Sequence, residues 1–326
     1  MTKVKQVNLI FMMSAIMPYI AVFLLGVLNI QIKSELSSLV LTQVIIVTPA
    51  IVYLLICRSN PLKALRFKRI KVSNVFLLIL FTYLITPVIS LVNAISLIFS
   101  KNEIIDSVSG ITEKNGLLIG LLSAAVIPAI FEEAVFRGVL YNEYHKVNKR
   151  VAIFLSALLF GLLHQNLNQF MYAFVIGIIF ALVIEATDSI VSTMIIHFFI
   201  NGTSVVLNYL LPKFYYLMER LYGKDVFDAE AILDTALNNT DQVTMIKAAQ
   251  TLVVPAIIGG ILAFIVYRTI AKNSNRYEEV KKIFAKQPAS SEAEVSEGKL
   301  RNFISIPLLI GMLICIINIV VLLVQG

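Results

Sequence analysis

Long apolar stretches separated by short polar ones run through the whole chain. Nine recur, at about 7–29, 38–57, 73–99, 116–137, 151–164, 169–186, 189–211, 250–271 and 302–324. Most approach the ~20 residues that an α-helix needs to cross a bilayer. The fifth and sixth are short and nearly fused, which leaves the count open by one. The pattern predicts an all-α, polytopic transmembrane helical bundle of about eight or nine membrane helices. The first run follows the basic stretch "MTKVKQ". It is longer than the ~7–15 apolar residues of a signal peptide and no small-residue cleavage site follows it, so it is expected to be a retained helix.

Composition agrees with the pattern. Of 326 residues, 58% are hydrophobic and only 14% charged, with a mean hydropathy of +0.86. A soluble domain of this length carries far more charge. The net charge of +7 would ordinarily raise the question of nucleic acid. Its distribution gives another answer. The loop 58–72 holds Arg58, Lys63, Arg66, Lys68, Arg69 and Lys71 and no acid, which marks it as cytoplasmic. Counting helices from there places the N-terminus, the loop 138–150 (Lys146, Lys149, Arg150) and the basic segment 268–301 inside. The loops 100–115 and 212–249 and the C-terminus fall outside. The expected setting is the cell membrane, multi-pass, with a cytoplasmic N-terminus. The bilayer is the partner and no nucleic acid is implied.

Four segments follow: N-terminal helices with the basic loop at 1–115, a core at 116–211, an outer loop or cap at 212–249, and C-terminal helices at 250–326. The cap is expected around "DAEAILDTAL". In the last segment, 274–299 reads as a charged linker with a short helix and a flexible, Pro/Ser/Glu-rich end. Cys57 and Cys315 lie in or beside apolar runs and are read as buried packing residues, since neither spacing nor compartment points to a disulfide or a metal clip. No internal repeat or glycine-rich phosphate loop is visible, and nothing in the sequence gives an oligomeric state.

Ionisable residues inside such runs are functional-site candidates. They are Glu132, Glu133, Arg137, His164, Glu185 and His197. Glu185, at a helix end beside "ATDS", reads as a flanking charge. His145, in "YHKVNKR", reads as part of a solvated loop without a role. In "FEEAVFR", Glu133 and Arg137 are four residues apart and share a helix face, so they can pair. Glu132 points about 100° away and has no such partner within the motif. A partly desolvated carboxylate of this kind suits a general base. Pro128 removes the backbone bond to the Ala124 carbonyl, which should kink the helix just before the pair. Further on, "FGLLH" ends in His164, and "HFFIN" places His197 and Asn201 four apart on one face. A histidine and an asparagine can donate to a developing oxyanion, or the histidine can bind a metal. Taken singly, the Glu–Arg pair also fits a snorkelling or capping role at a cytoplasmic helix end.

The order EExxxR, FxxxH, HxxxN resembles the CPBP family, which comprises the CAAX proteases and bacteriocin-processing enzymes. These are intramembrane endopeptidases related to type II CAAX prenyl endopeptidase. The resemblance covers about 116–205; the flanking helices carry no comparable signature. It implies that Glu132 activates a water for attack on a peptide carbonyl, and that His197 and Asn201 stabilise the oxyanion. Glu133 with Arg137 would fix the helix and the site's charge, and His164 would orient the water or the base. The family's metalloprotease label would make His164 and His197 ligands of zinc or another divalent ion. The sequence has no HExxH, however, and a glutamate base with a histidine–asparagine oxyanion site needs no metal. The lysine-, isoleucine- and asparagine-rich composition points to a low-GC bacterium. Leader peptides or membrane-anchored proteins therefore suit as substrates better than prenylated ones. Two other classes remain: a transporter, which would show paired repeated halves, and a non-catalytic immunity or scaffold protein.

One tension concerns depth. At ~1.5 Å per residue, Glu132 lies about 8 Å inside the end of its run, His197 about 12 Å and His164 about 20 Å. The suspect boundary is that of the fifth run.

Overall fold

The computed structural model describes residues 2–57, 60–100, 104–238, 242–285 and 302–325. Among these, every regular element is helical. In chain order they are α1 (Lys3–Val27), α2 (Glu35–Ile56), the single turn α3 (Pro61–Ala64), α4 (Val72–Leu97), α5 (Ile104–Asn115) and α6 (Leu117–His145). There follow α7 (Lys149–Leu163), α8 (Leu167–Thr187), α9 (Ile190–Tyr222), α10 (Ala229–Asn238), α11 (Gln242–Asn273), α12 (Tyr277–Phe284) and α13 (Ile306–Gln325). Eight of them, α1, α2, α4, α6, α8, α9, α11 and α13, are long and apolar enough to cross a membrane.

The fifth apolar run becomes α7, whose 15 residues span about 22 Å, short of the ~30 Å hydrocarbon core. It is nonetheless separate from its successor. His164 caps α7, Gln165 takes a left-handed conformation at φ 55°, and Asn166 opens α8 by accepting from the Gln169 amide at 3.2 Å. The two helices then return side by side. A Cβ on Gly177 of α8 would meet the Ala157 backbone of α7 at 2.8 Å, so glycine allows this approach.

Polar bonds gather the same end of many helices. Asn8 of α1 donates to the Phe303 carbonyl before α13 at 2.8 Å and accepts from Tyr144 of α6 at 2.6 Å. Asn74 of α4 bonds Ser274 after α11 at 2.9 Å. Arg150 of α7 donates to the Ile283 carbonyl of α12 at 2.8 Å. This end carries the basic loop around α3, the α6–α7 turn and the α11–α12 turn.

The start of α9 is sunk into the bundle rather than level with that end. The Ile190 amide bonds the Arg66 carbonyl at 3.1 Å, and Ser189 donates to the Lys68 carbonyl at 2.6 Å. Gly138, in the body of α6, leaves room for Leu65 and Ile190 to close against it.

Several details differ from the sequence-based expectation. Residues 104–115 form the helix α5 rather than a loop, and α9 runs without interruption past 211 to Tyr222. Cys57 is exposed at the end of α2, where its helix runs out into the basic loop, whereas Cys315 is buried as expected. The expected short linker helix is α12, and the stretch "DAEAILDTAL" forms the helix α10; the flexible linker end falls in 286–299, outside the described residues.

Candidate active site

The site is built on α6, an irregular helix with π-helical turns at Leu122–Val126 and Ala134–Tyr141. π turns are uncommon and tend to mark functional positions. The first has a local cause. Pro128 has no N–H to offer the Ala124 carbonyl, so the break expected there is taken up by the π turn. The freed carbonyl accepts instead from Asn201 Nδ2 of α9 at 3.2 Å. One of the Asn201 N–H groups is thereby committed to holding α6 and α9 together.

One turn further along, four charged or titratable side chains meet. Glu133 is fully buried, and its Oε1 lies 3.3 Å from Arg137 and 3.1 Å from His197 Nδ1. A carboxylate only accepts, so His197 must carry its proton on Nδ1, and its tautomer is fixed by Glu133. The opposite nitrogen, Nε2, lies 3.8 Å from Glu132 Oε2. Glu132 is thus not left alone as the motif implied: its Oε1 also accepts from Gln43 Nε2 of α2 at 2.8 Å.

Arg137 is fully buried with its guanidinium between two rings, 4.3 Å from the Phe160 centroid and 4.9 Å from Phe180. None of its three nitrogens makes a regular hydrogen bond among the described residues. Its charge is balanced by Glu133 and by the ring faces, a cation–π arrangement that gains strength away from water. His197 packs on the same two rings, 6.2 Å from Phe160 and 5.4 Å from Phe180. Glu132, Glu133, Arg137 and His197 are therefore brought together, with Asn201 one turn further along α9.

His164 is placed differently. Its Nδ1 faces the Phe160 carbonyl at 2.8 Å, and its ring packs edge-on against the Phe160 ring at 5.0 Å. It neighbours the same aromatic residue as His197 without bonding to the carboxylates. Among the described residues no group of three or more His, Cys, Asp or Glu side chains is placed to hold a metal ion. Glu132 and His197 converge as a pair, but the donor set does not make a metal centre with His164.

The depth tension dissolves, and its cause lies elsewhere than in the fifth run. Helix α6 continues to His145, so Glu132 sits about 20 Å from its basic end by the helical rise, close to the ~22 Å of His164. His197 lies about 10 Å from the start of its own helix, and that start is sunk to the level of Gly138. All three then share one depth.

A second cluster was missed. Glu185 is fully buried at the basic end, where Arg66 at 3.4 Å, His145 at 3.2 Å and Lys149 at 2.8 Å surround it, and Tyr141 donates to it at 2.9 Å. Arg276 donates to its backbone carbonyl at 3.2 Å. It is thus no flanking charge, and His145 has a role as part of its surround. Nearby, Lys282 hydrogen-bonds Glu279 at 2.7 Å and holds its carboxyl below the usual range, which keeps a negative charge facing Lys149 at 3.6 Å. The partners of Glu185 come from four separate segments. No local motif announces such a knot. Gln43 was missed for a similar reason: it is a lone amide inside the apolar "VLTQVII".

Residues 114–203 match the model of a family described as type II CAAX prenyl endopeptidase Rce1-like. No curated protein and no solved structure matches the chain.

Proposed function

We propose, from the match of segment 114–203 to the type II CAAX prenyl endopeptidase model, that the chain is an intramembrane endopeptidase with Glu132 as general base. The observation that carries the reading is the position of the His197 ring, 3.1 Å from Glu133 and 3.8 Å from Glu132. A water within hydrogen-bond reach of both Glu132 Oε2 and His197 Nε2 fits at the apex between them. Glu132 takes a proton from that water as its oxygen bonds to the peptide carbonyl carbon. The carbonyl electrons move to the oxygen and form a tetrahedral oxyanion. When the C–N bond breaks, the proton passes from Glu132 to the departing nitrogen. The His197 ring, oriented by Glu133, is proposed to face the developing oxyanion. The second N–H of Asn201 is a candidate donor to it. Glu133 and Arg137 fix the ring and the helix rather than touch the substrate.

The substrate is proposed to be a peptide bond of a membrane-associated protein or leader peptide, reached from within the bilayer. The orientation that fits the basic end is a cytoplasmic N-terminus. No step is routed through a metal, because the donor set does not assemble one.

The test compares membranes of cells carrying wild type or Glu132→Gln by mass spectrometry of new peptide termini. Glu132→Gln keeps shape and hydrogen bonding, strands no charge, and should accumulate normally. Cleaved termini are expected only with wild type. On a quenched-fluorescence peptide carrying the mapped cleavage sequence, turnover should fall on the order of 10²–10⁴-fold. Wild-type activity is expected to survive exhaustive chelation. Wild-type cleavage by Glu132→Gln would overturn the base assignment; loss of activity on chelation, restored by zinc, would overturn the metal-free mechanism.

A further inference from the structure

We infer that Gln43, on a helix outside the family-matched segment, is a positioning residue for the general base. The inference rests on the proposed role of Glu132. Glu132 lies within electrostatic reach of Arg137 and Tyr172, but the hydrogen bond to its carboxylate comes from Gln43, and Gln43 and His197 meet different oxygens. Gln43 Nε2 donates to Oε1 at 2.8 Å, and His197 Nε2 faces Oε2 at 3.8 Å. Tying down one oxygen fixes the rotation of the carboxylate about its last bond, a torsion that is otherwise broad. The other oxygen is then held toward the point where the water and the imidazole meet. Without Gln43 the two oxygens are interchangeable and the carboxylate can turn.

The chemistry fixes which way the amide points. A carboxylate repels a carbonyl oxygen, so the nitrogen must face Glu132 and the Oε1 of Gln43 must point away. That oxygen is buried and has no hydrogen-bond partner among the described residues. An amide that served only to satisfy itself inside an apolar helix would pair both ends. Here the end that is hydrogen-bonded is the one that reaches the carboxylate. The rest of α2 agrees, since its lipid-side residues Val44, Ile51, Val52, Leu55 and Ile56 are exposed apolar side chains. Helix α2 is thin cover for the site, and Gln43 is the polar group it delivers there.

Two variants test this on the quenched-fluorescence peptide described above. Gln43→Met keeps length and apolar packing and removes the donor. Gln43→His restores a ring N–H at a similar reach. For Gln43→Met, kcat should fall on the order of 10²-fold, the cost of a misplaced reacting group, while KM stays near wild type. Gln43→His should recover most of the lost kcat. Rates are normalised to monodisperse protein after size exclusion, so a fold defect is read separately. Wild-type kcat in Gln43→Met, or a loss carried by KM alone, overturns the inference. Should Gln43→Met not accumulate, Gln43→His decides, and a kcat reduced as far as 10²-fold in well-folded Gln43→His overturns it. These outcomes leave the base assignment standing as long as Glu132→Gln is inactive. If Glu132→Gln is active, the base reading itself fails.

Discussion

On the proposed reading Arg137 serves the site through its neighbours rather than through the substrate. It is fully buried, pairs with Glu133 at 3.3 Å, and lies between the Phe160 and Phe180 rings. Arg137→Ala leaves a buried carboxylate without its cation and opens the space between the rings. Removing one partner of a buried pair costs about 3–5 kcal/mol. The variant should accumulate poorly and unfold at lower temperature in detergent, with activity lost in parallel. Arg137→Lys should fall between, because an ammonium cannot stack flat on two rings. Normal abundance and normal cleavage by Arg137→Ala would show that the pairing is unimportant. At this scale the sequence was legible where partners are local. The four-residue spacing of Glu133 and Arg137 is enough to predict their pairing. Gln43 and Glu185 were not legible, because Gln43 meets Glu132 at a separation of 89 positions and Arg66 meets Glu185 at 119. Periodicity carries no information over such distances.

At the scale of elements, the contact between α6 and α9 is a division of labour between Pro128 and Asn201. The proline removes a donor from α6, and the asparagine supplies one from α9 at 3.2 Å from the Ala124 carbonyl. Asn201→Leu strands that carbonyl inside the membrane, at a cost of about 1–3 kcal/mol. Pro128→Ala returns an N–H to the α6 backbone, so it should offset most of that loss when combined with Asn201→Leu. A double-mutant cycle of thermal unfolding in detergent reads the coupling directly. Strictly additive effects would mean that Asn201 does not serve the freed carbonyl. This pairing also explains why the ends of elements were harder to read than their existence. A proline, two carboxylates and an arginine late in the fourth run resemble a helix terminus. The π turns instead carry α6 through them to His145. The terminus that the sequence places near 137 is therefore about two turns early, and the apparent disagreement in depth among Glu132, His164 and His197 followed from it.

For the whole molecule, the open question is parity. Eight helices are long enough to cross a membrane, and an even number of crossings would return the chain to the side where it began. The short helix α7 decides the matter. Its 15 residues start at the basic end with Lys149 beside Glu185. They finish at a turn where Gln165 accepts from Tyr19, and its backbone carbonyl accepts from Asn318 at 3.3 Å. By the helical rise, Tyr19 lies about 24 Å along α1 and Asn318 about 18 Å along α13 from the basic end. The turn is therefore well inside the bundle, away from that end, and α8 returns from it to Glu185. Irregular backbone at such a depth is tolerated only where protein covers it, and α1 and α13 supply the cover. Helix α7 thus counts as a crossing in topology although it is too short to be one by length. On this reading nine alternating helices would put the two termini on opposite sides. If, as proposed, the basic end faces the cytoplasm, a tag placed after α13 should be open to protease in intact cells whose outer barrier is permeabilised. In a cysteine-free background, single cysteines at Lys63 and Lys146 should resist an impermeant thiol reagent, and one at Glu113 should react. Protection of the tag together with protection of Lys63 would break the nine-helix parity, and labelling of Lys63 and Lys146 from outside would invert the orientation.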